Sequence, residues 1–467
     1  MQHLHTRRLT LPILNLVKKL FKQDSSGQSS EKIVSHPRIY ARPEHTISRS
    51  QISPNALKVL YRLKKGGYRA CLVGGCVRDL LLGREPKDFD VATDARPEEV
   101  KALFRNCRLI GRRFRLAHVR FGREIIEVAT FRAGLPRGQG DDWAQEEATG
   151  RLLRDNVYGT IEEDAWRRDF TVNALYYDIK DFSVVDYVGG MEDLHSGVLR
   201  LIGDPQVRFR EDPVRMLRAI RFMIKLGFKL DPSLEVHLKP FAPLLQDIPP
   251  ARLYDEVLKM FMGGYAVQTF ELLRHYELFS PLFPATEQAL SLEEQGFPLV
   301  FLAHALENTD KRLAEGKIVT PYFLYAALLW EPVRLTAKQR EMLGTPPVVA
   351  MQEAAGEVLS EQVKHVAIPR RISLPMREVW NLQPRFEQRR GARPFRLLSH
   401  PRFRAAYDFL VLRGQSGEAE PELVDWWTRF QTAPEGERKK MLEGPRRKTR
   451  RRRSRRKSAT KQSSPQE

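Results

Sequence analysis

The hydrophobic residues of this chain change their period once, close to Asp212. That change limits it to a head of mixed strands and helices followed by helices alone. Ahead of it, short apolar runs alternate with helical spacing. Ser53 is placed to cap a helix with Pro54 in its first turn, running to about Lys65. Ala70–Val73 reads as a strand, 77–82 as a helix and 89–92 as a second strand, and 97–104 is a helix with Glu98 and Glu99 in its first turn. Leu116–Phe121 and 125–131, joined by Gly122-Arg123, read as a hairpin. Beyond Asp212 the spacing is helical in 214–225, 253–262, 267–275 and onward to about Phe430, with no repeat of fixed period.

The fold class is therefore α+β: an α/β head with a mixed sheet, then an elongated all-helical body. At 467 residues the chain exceeds one compact core and should hold two to four domains. We expect a flexible N-terminal segment at 1–50, in which 23–50 is a linker rich in Ser, Gln, His and Pro. A head at 51–200, a helical neck at 201–270, a helical body with a C-terminal RNA-binding region at 271–435 and a disordered tail at 436–467 follow. Residues 133–152, rich in Gly, Asp and Glu, read as an insertion loop.

Charge narrows the partner. Lys and Arg number 78 against 58 Asp and Glu, a net +20, which favours a polyanion, either nucleic acid or an acidic membrane surface. The last 22 residues hold eleven Lys/Arg against Glu467 alone, so they supply +10 and the rest of the chain still carries +10. Such a block buries no apolar surface and is expected to be disordered. Cys71, Cys76 and Cys107 include no C-x-x-C pair, which points to a reducing, cytoplasmic setting without structural zinc. Pro12 and Asn15 interrupt the apolar run of the first 22 residues, so a secretory signal is not expected. Leu16, Val17, Leu20 and Phe21 beside Lys18, Lys19 and Lys22 leave two readings open, a frayed end or a helix touching a membrane surface.

Four constellations carry chemistry. In Leu72-Val73-Gly74-Gly75-Cys76-Val77-Arg78-Asp79, paired glycines between strand and helix let the backbone approach a phosphate, and Arg78 is in a position to reach its oxygens. Plain turn chemistry accounts for a Gly-Gly alone. Asp88-Phe89-Asp90 on a strand puts both carboxylates on one face, within reach of one hard cation. Two Mg²⁺ ions held about 3.5–4 Å apart by such acids activate a hydroxyl and stabilise leaving pyrophosphate. For a lone D-x-D an exposed strand end would be the better explanation; the pair's position some ten residues after the glycine turn shifts the weight. Glu127, on the hairpin, is either a third acid or a solvent-facing charge. In Arg167-Arg168-Asp169-Phe170-Thr171, Arg168 suits a triphosphate and Asp169 a metal or ribose hydroxyl, although Arg-Asp neighbours are often mere surface pairs. In Glu211-Asp212-Pro213-Val214-Arg215, continuing to Arg218 and Arg221, spacings of three place Asp212, Arg215 and Arg218 on one helix face.

In this order the four motifs resemble the class II nucleotidyltransferases, the group of bacterial poly(A) polymerases and CCA-adding enzymes, over about residues 53–274. The resemblance implies that Asp88 and Asp90 bind the metals, Mg²⁺ or Mn²⁺, and that Gly74, Gly75 and Arg78 contact the triphosphate. It further implies that Arg168 and Asp169 serve nucleotide and catalysis, and that Asp212 and Arg215, with Arg218 and Arg221 nearby, read the base. Cys76 stands where the family usually has a smaller residue. The segment 368–430, with His400-Pro401-Arg402-Phe403, and the arginine-rich end are similar to the poly(A) polymerase branch. The expected activity is template-independent transfer of AMP from ATP to RNA 3′ ends. The expected partners are RNA 3′ ends, held without regard to sequence with help from the basic tail, together with RNA-decay machinery. A CCA-adding tRNA nucleotidyltransferase and a non-catalytic RNA-binding protein are the alternatives.

Overall fold

The structure, a computed structural model, describes residues 36–111, 115–133, 157–294, 297–298 and 300–442. The stretch 1–22, most of the expected insertion loop and the arginine-rich segment 446–461 lie outside the described residues.

The head is built on eight strands: β1 (Arg38–Tyr40), β2 (Ala70–Val73), β3 (Asp90–Thr93), β4 (Cys107–Ile110), β5 (Leu116–Phe121), β6 (Glu124–Thr130), β7 (Leu175–Asp178) and β8 (Val184–Asp186). They form one sheet in the order β1-β8-β7-β2-β3-β6-β5-β4. Only β3 and β6 run parallel; every other neighbouring pair is antiparallel. Strand β2 is apolar throughout because it is central and buried on both faces. On one face Leu72, Val91, Val128 and Tyr177 join the main core with Val59, Leu60 and Leu63 of helix α1 (Pro54–Lys65). On the other face Cys71, Val73, Ala92, Phe131, Tyr176 and Val185 form a smaller cluster. Ile161 and Ala165 of a short helix, Ile161–Trp166, complete it. The alternation of β3 puts Asp90 on the same face as Ala92.

The expected helix after the glycines is α2 (Gly75–Leu81), and the next is α3 (Pro97–Leu103). Helix α4 is the short Ile161–Trp166 and α5 is Gly190–Ser196. The neck follows as α6 (Pro205–Glu211), α7 (Val214–Leu226), α8 (Pro232–Phe241) and α9 (Pro250–Phe261). Gly227, at φ 73°, ends α7 by donating to Met223 and Ile224 carbonyls. Helices continue to Glu435–Leu442, first in the main core and then around a separate cluster of Phe386, Phe403, Trp427 and Phe430. Among the described residues no helix is long and apolar enough to cross a membrane.

Three expectations need correction. Residues 38–50, read as linker, hold β1 paired to β8, one 3-10 turn and the start of a second, with Ile47 buried. Backbone pairing makes that strand, so composition concealed it. The second strand begins at Asp90, and Asp88 precedes it in a bend. Residues 436–442, assigned to the disordered tail, belong to the last helix. Glu435 and Glu437 at its start and Lys439 and Lys440 at its end suit the helix dipole, and Arg438 donates to the Phe430 carbonyl at 2.9 Å.

Candidate active site

Strand β2 ends at Val73 and the chain turns at Gly74, whose φ of 76° and ψ of −128° only glycine adopts without strain. A Cβ there would stand 3.5 Å from Arg168 Nη1 and 3.6 Å from the Asn173 carbonyl, so the bend is pressed against the Arg168 segment. Gly74→Ala is expected to lose about 1–3 kcal/mol of stability, measured by denaturant unfolding. Cys76 is buried and its Sγ donates to the Val73 carbonyl at 3.3 Å and reaches the Asp90 carbonyl at 3.9 Å. Burial pushes the thiol up to about 12, which keeps it a proton donor. The cysteine therefore ties the bend to the start of β3, and its size is accommodated.

Arg78 does not face the bend's open side. It is 2% exposed, donating from Nε and Nη2 to Asp79 Oδ1 (2.8 and 2.6 Å) and from Nη1 to Asn173 Oδ1 (2.6 Å). It braces the turn from within, which corrects the expectation that it reaches a phosphate. The reason is local: with Asp79 as its neighbour, a buried guanidinium is paired at once.

Asp90 opens β3 beside this bend, its carbonyl 3.9 Å from Cys76 Sγ, and Asp88 lies just ahead of it in the chain. Asp90 is solvent-exposed, yet protein surrounds it on enough sides that partial desolvation matters. Desolvation and the nearby Glu127 and Asp88 charges, against the pull of Arg168, push its carboxyl up to about 6. Glu127 is in register with Asp90 across the parallel β3–β6 pair, but its Oε1 lies 3.2 Å from His118 Nε2. Among the described residues no three ligating side chains converge. The donor set is thus two aspartates crowded by like charge, a chemistry that a hard divalent cation would relieve.

Arg168 completes the anion side. Its Nε and Nη2 donate to Asp164 Oδ2 (3.2 and 2.9 Å), and Nε also to the Tyr176 hydroxyl (2.9 Å), which leaves Nη1 beside Gly74. Burial alone would lower its basicity; Tyr176 and Asp164 more than offset that and raise it. Asp164, absent from the sequence reading, also accepts from Tyr176 (2.7 Å) and Arg167 (3.0 Å). The spacing of three and four residues to Arg167 and Arg168 on one helical turn was the available signal.

Asp169 is turned elsewhere. Its Oδ2 accepts from Arg218 Nε at 2.7 Å and from Arg218 Nη2, and its Oδ1 from the Phe170 N–H at 2.9 Å. Burial would raise its carboxyl, but Arg218 and these hydrogen bonds hold it below the usual 3.8. Arg208 of α6 donates to the carbonyls of Arg167 (2.9 Å) and Arg168 (2.6 Å), which fixes this segment to the neck.

The residues expected to read the base are spread more widely than helix spacing implied. Asp212 lies ahead of α7, capping it through the Val214 N–H (3.2 Å) and accepting from Arg252 of α9 at 2.6 Å. Arg215 donates to Glu211 (2.9 Å) and to the Arg208 carbonyl (2.6 Å). Arg218 faces Asp169. Arg78, Arg218 and Arg221 all approach the Phe222 ring, at 5.4, 5.5 and 4.6 Å from its centre. Among the described residues, Arg221 Nε and Glu256 Oε2 are buried without a hydrogen-bond partner. Asn173 and Phe222 lie at the close of the third and fourth motifs, whereas Tyr176, Arg208 and Arg252 are neighbours of the site that no motif announced. The arrangement is one of cations and a glycine bend facing two acids, suited to a polyphosphate and a metal together.

Three family descriptions match the chain: "Poly A polymerase head domain" at residues 70–200, "Probable RNA and SrmB-binding site of polymerase A" at 227–290 and "Polymerase A arginine-rich C-terminus" at 343–459. Poly(A) polymerase I of Escherichia coli is 50% identical over 453 residues, 94% of this chain and 97% of that protein. A CCA-adding enzyme of Lactobacillus helveticus is 37% identical over 242 residues, 51% of this chain and 58% of that protein. A crystal structure of a tRNA nucleotidyltransferase with a primer tRNA and an incoming ATP analogue is 25% identical with a TM-score of 0.53, covering 82% of this chain and 99% of that one.

Proposed function

We propose that this chain, which belongs to the poly(A) polymerase family, extends RNA 3′ ends with AMP taken from ATP, without a template and with release of pyrophosphate. One observation supports the reading most: Asp90 opens β3 with its carbonyl 3.9 Å from Cys76 Sγ of the glycine bend, and its carboxyl is within the influence of Asp88, Glu127 and Arg168. Likeness to a polyadenylating relative extends over 94% of the chain, against 51% for a CCA-adding one, and this supports the choice of product.

The chemistry assigned to the residues is as follows. Asp88 and Asp90 would hold Mg²⁺ or Mn²⁺, which supplies charge neutralisation at the transferred phosphate and the leaving pyrophosphate. The Gly74–Gly75 bend admits the triphosphate close to the backbone, and Arg168 Nη1, aimed by Asp164 and Tyr176, takes a phosphate oxygen. Asp169 acts through Arg218, setting the guanidinium that stands with Arg221 over Phe222. Asp212 and Arg215, exchanging their present partners Arg252 and Glu211, offer acceptor and donor to the adenine edge. Two buried thiols and a third unpaired cysteine support a cytoplasmic setting.

Incubation with RNA and each nucleotide separately tests this. The expected product is a long tail with ATP alone. A stop after C-C-A on tRNA would transfer the chain to the CCA-adding branch. RNA binding with no pyrophosphate released from ATP would leave an RNA-binding protein without the chemistry.

A further inference from the structure

The outer side of the head holds a groove that the reaction described above does not use. Helix α1 turns Lys58, Tyr61 and Arg62 to solvent at spacings of three and one, and Tyr61 is 39% exposed. Beside them lies a cavity of about 460 Å³, bounded also by Phe104, Asn106 and Phe121. Lys58 Nζ stands 5.9 Å from the centre of the Phe121 ring and the Arg62 guanidinium 5.2 Å from that of Phe104. Every charged side chain lining it is a cation. Exposed Arg105 and Arg123, beside Phe104 and in the β5–β6 turn, carry the same sign, whereas the alternation of β5 turns Arg120 to the face opposite Phe121; Asn106 Nδ2 donates to the Arg120 carbonyl at 2.6 Å. Glu124, at the end of this hairpin, is taken up by Ser53 Oγ and Asn55 Nδ2, both at 2.5 Å.

Phe104 and Phe121 pack beneath Arg62 and Lys58, and the ring open to solvent is Tyr61. Cations beside an exposed ring fit one chemistry above others. A single-stranded nucleic acid offers phosphates to the first and flat bases to the second. An acidic peptide would answer the charges and leave the exposed Tyr61 ring without a stacking partner. We infer that this groove binds a stretch of single-stranded RNA upstream of the 3′ end being extended. The inference rests on the polyadenylation reading for the source of that strand. Val59, Leu60 and Leu63 pack α1 on the sheet face of Leu72 and Val91, whereas Tyr176, which holds Arg168, is on the opposite face. The sheet, about 10 Å through to its packed layer, therefore separates groove from chemistry. The groove retains the strand and takes no part in phosphoryl transfer.

The test uses the full chain, with oligoadenylates of about 6 and about 20 nucleotides, spanning the usual footprint of such sites. In Lys58→Glu/Arg62→Glu, affinity for the long strand should fall about tenfold. The slope of log affinity against log salt should flatten by about 1.4, the share of two phosphate contacts on a single strand. Tyr61→Ala should weaken the long strand about fivefold with the slope unchanged. Extension of the short primer should keep its parent rate in both variants. Unchanged long-strand affinity overturns the inference, and so does an equal loss on both lengths. A variant-sensitive affinity for polyglutamate with RNA affinity unaltered overturns it in favour of an acidic peptide. Failure of the parent chain to extend either primer would sink the polyadenylation reading alone, since the binding comparison is still read.

Discussion

Asp90→Ala, in a chain that folds as the parent does, lowers AMP incorporation about a thousandfold or more. The figure corresponds to about 4 kcal/mol of lost transition-state stabilisation, within what a bound divalent cation contributes at a transferring phosphate. Folding should survive because Asp90 opens strand β3 at the surface, while Val91 and Ala92 carry its burial. Asp90→Asn keeps the shape and removes the charge, and should fall almost as far. Chelation of divalent ions should bring the parent down to the variant's level and leave the variant where it is. Incorporation by Asp90→Ala near the parent rate would remove the basis for the proposed chemistry.

Asp164→Ala is the largest expected stability loss, about 3 kcal/mol, because it takes a buried carboxylate from two half-buried guanidinium groups and the buried Tyr176 hydroxyl. The Asp164 side chain is 3% exposed and serves Arg167, Arg168 and Tyr176 at once. Burial would raise its carboxyl, but Arg168, Arg167 and the Tyr176 hydroxyl bring it below the usual 3.8. The sign of the pH effect follows. A carboxyl depressed in the folded state contributes stability above its unfolded value and loses it as pH falls through the folded one. Denaturant unfolding should therefore show the parent–variant gap in full at neutral pH, and the gap should shrink below about pH 4. Removing Arg168 as well should recover part of the loss, because the unpaired charge goes with it. A gap that persists unchanged in acid would show that lost packing, and not the ion pairs, is responsible.

How much of this was legible in the sequence depended on the kind of signal. Ala70–Val73 and the hairpin of β5 and β6 were readable because their apolar runs are bounded by glycine or a turn. Strands β7 and β8 were not, since they are fully buried, three or four residues long and without alternation. The glycine bend was legible from its paired glycines, whereas the strand spacing invoked for the acid pair does not apply, since Asp88 lies in a bend ahead of β3. Arg78 was misread for a reason of a different kind. A motif names a residue's neighbours in the chain, whereas its direction was decided by Asp79 and by Asn173, 95 residues away. Arg252, which holds Asp212, belongs to the same class: no local pattern marks a residue whose partner is 40 positions earlier.

The Asp169–Arg218 pair has a bearing on modularity. One partner belongs to the head and the other to α7, and behind them Phe170 meets the Phe222 ring edge-on at 5.7 Å. A catalytic cassette trimmed at residue 200 would leave a buried carboxylate without its counter-ion and an aromatic seam open to water. Transplanting this head onto another scaffold would therefore need the chain through Leu226, so that the graft carries Arg218 and Phe222 along with Asp169 and Phe170.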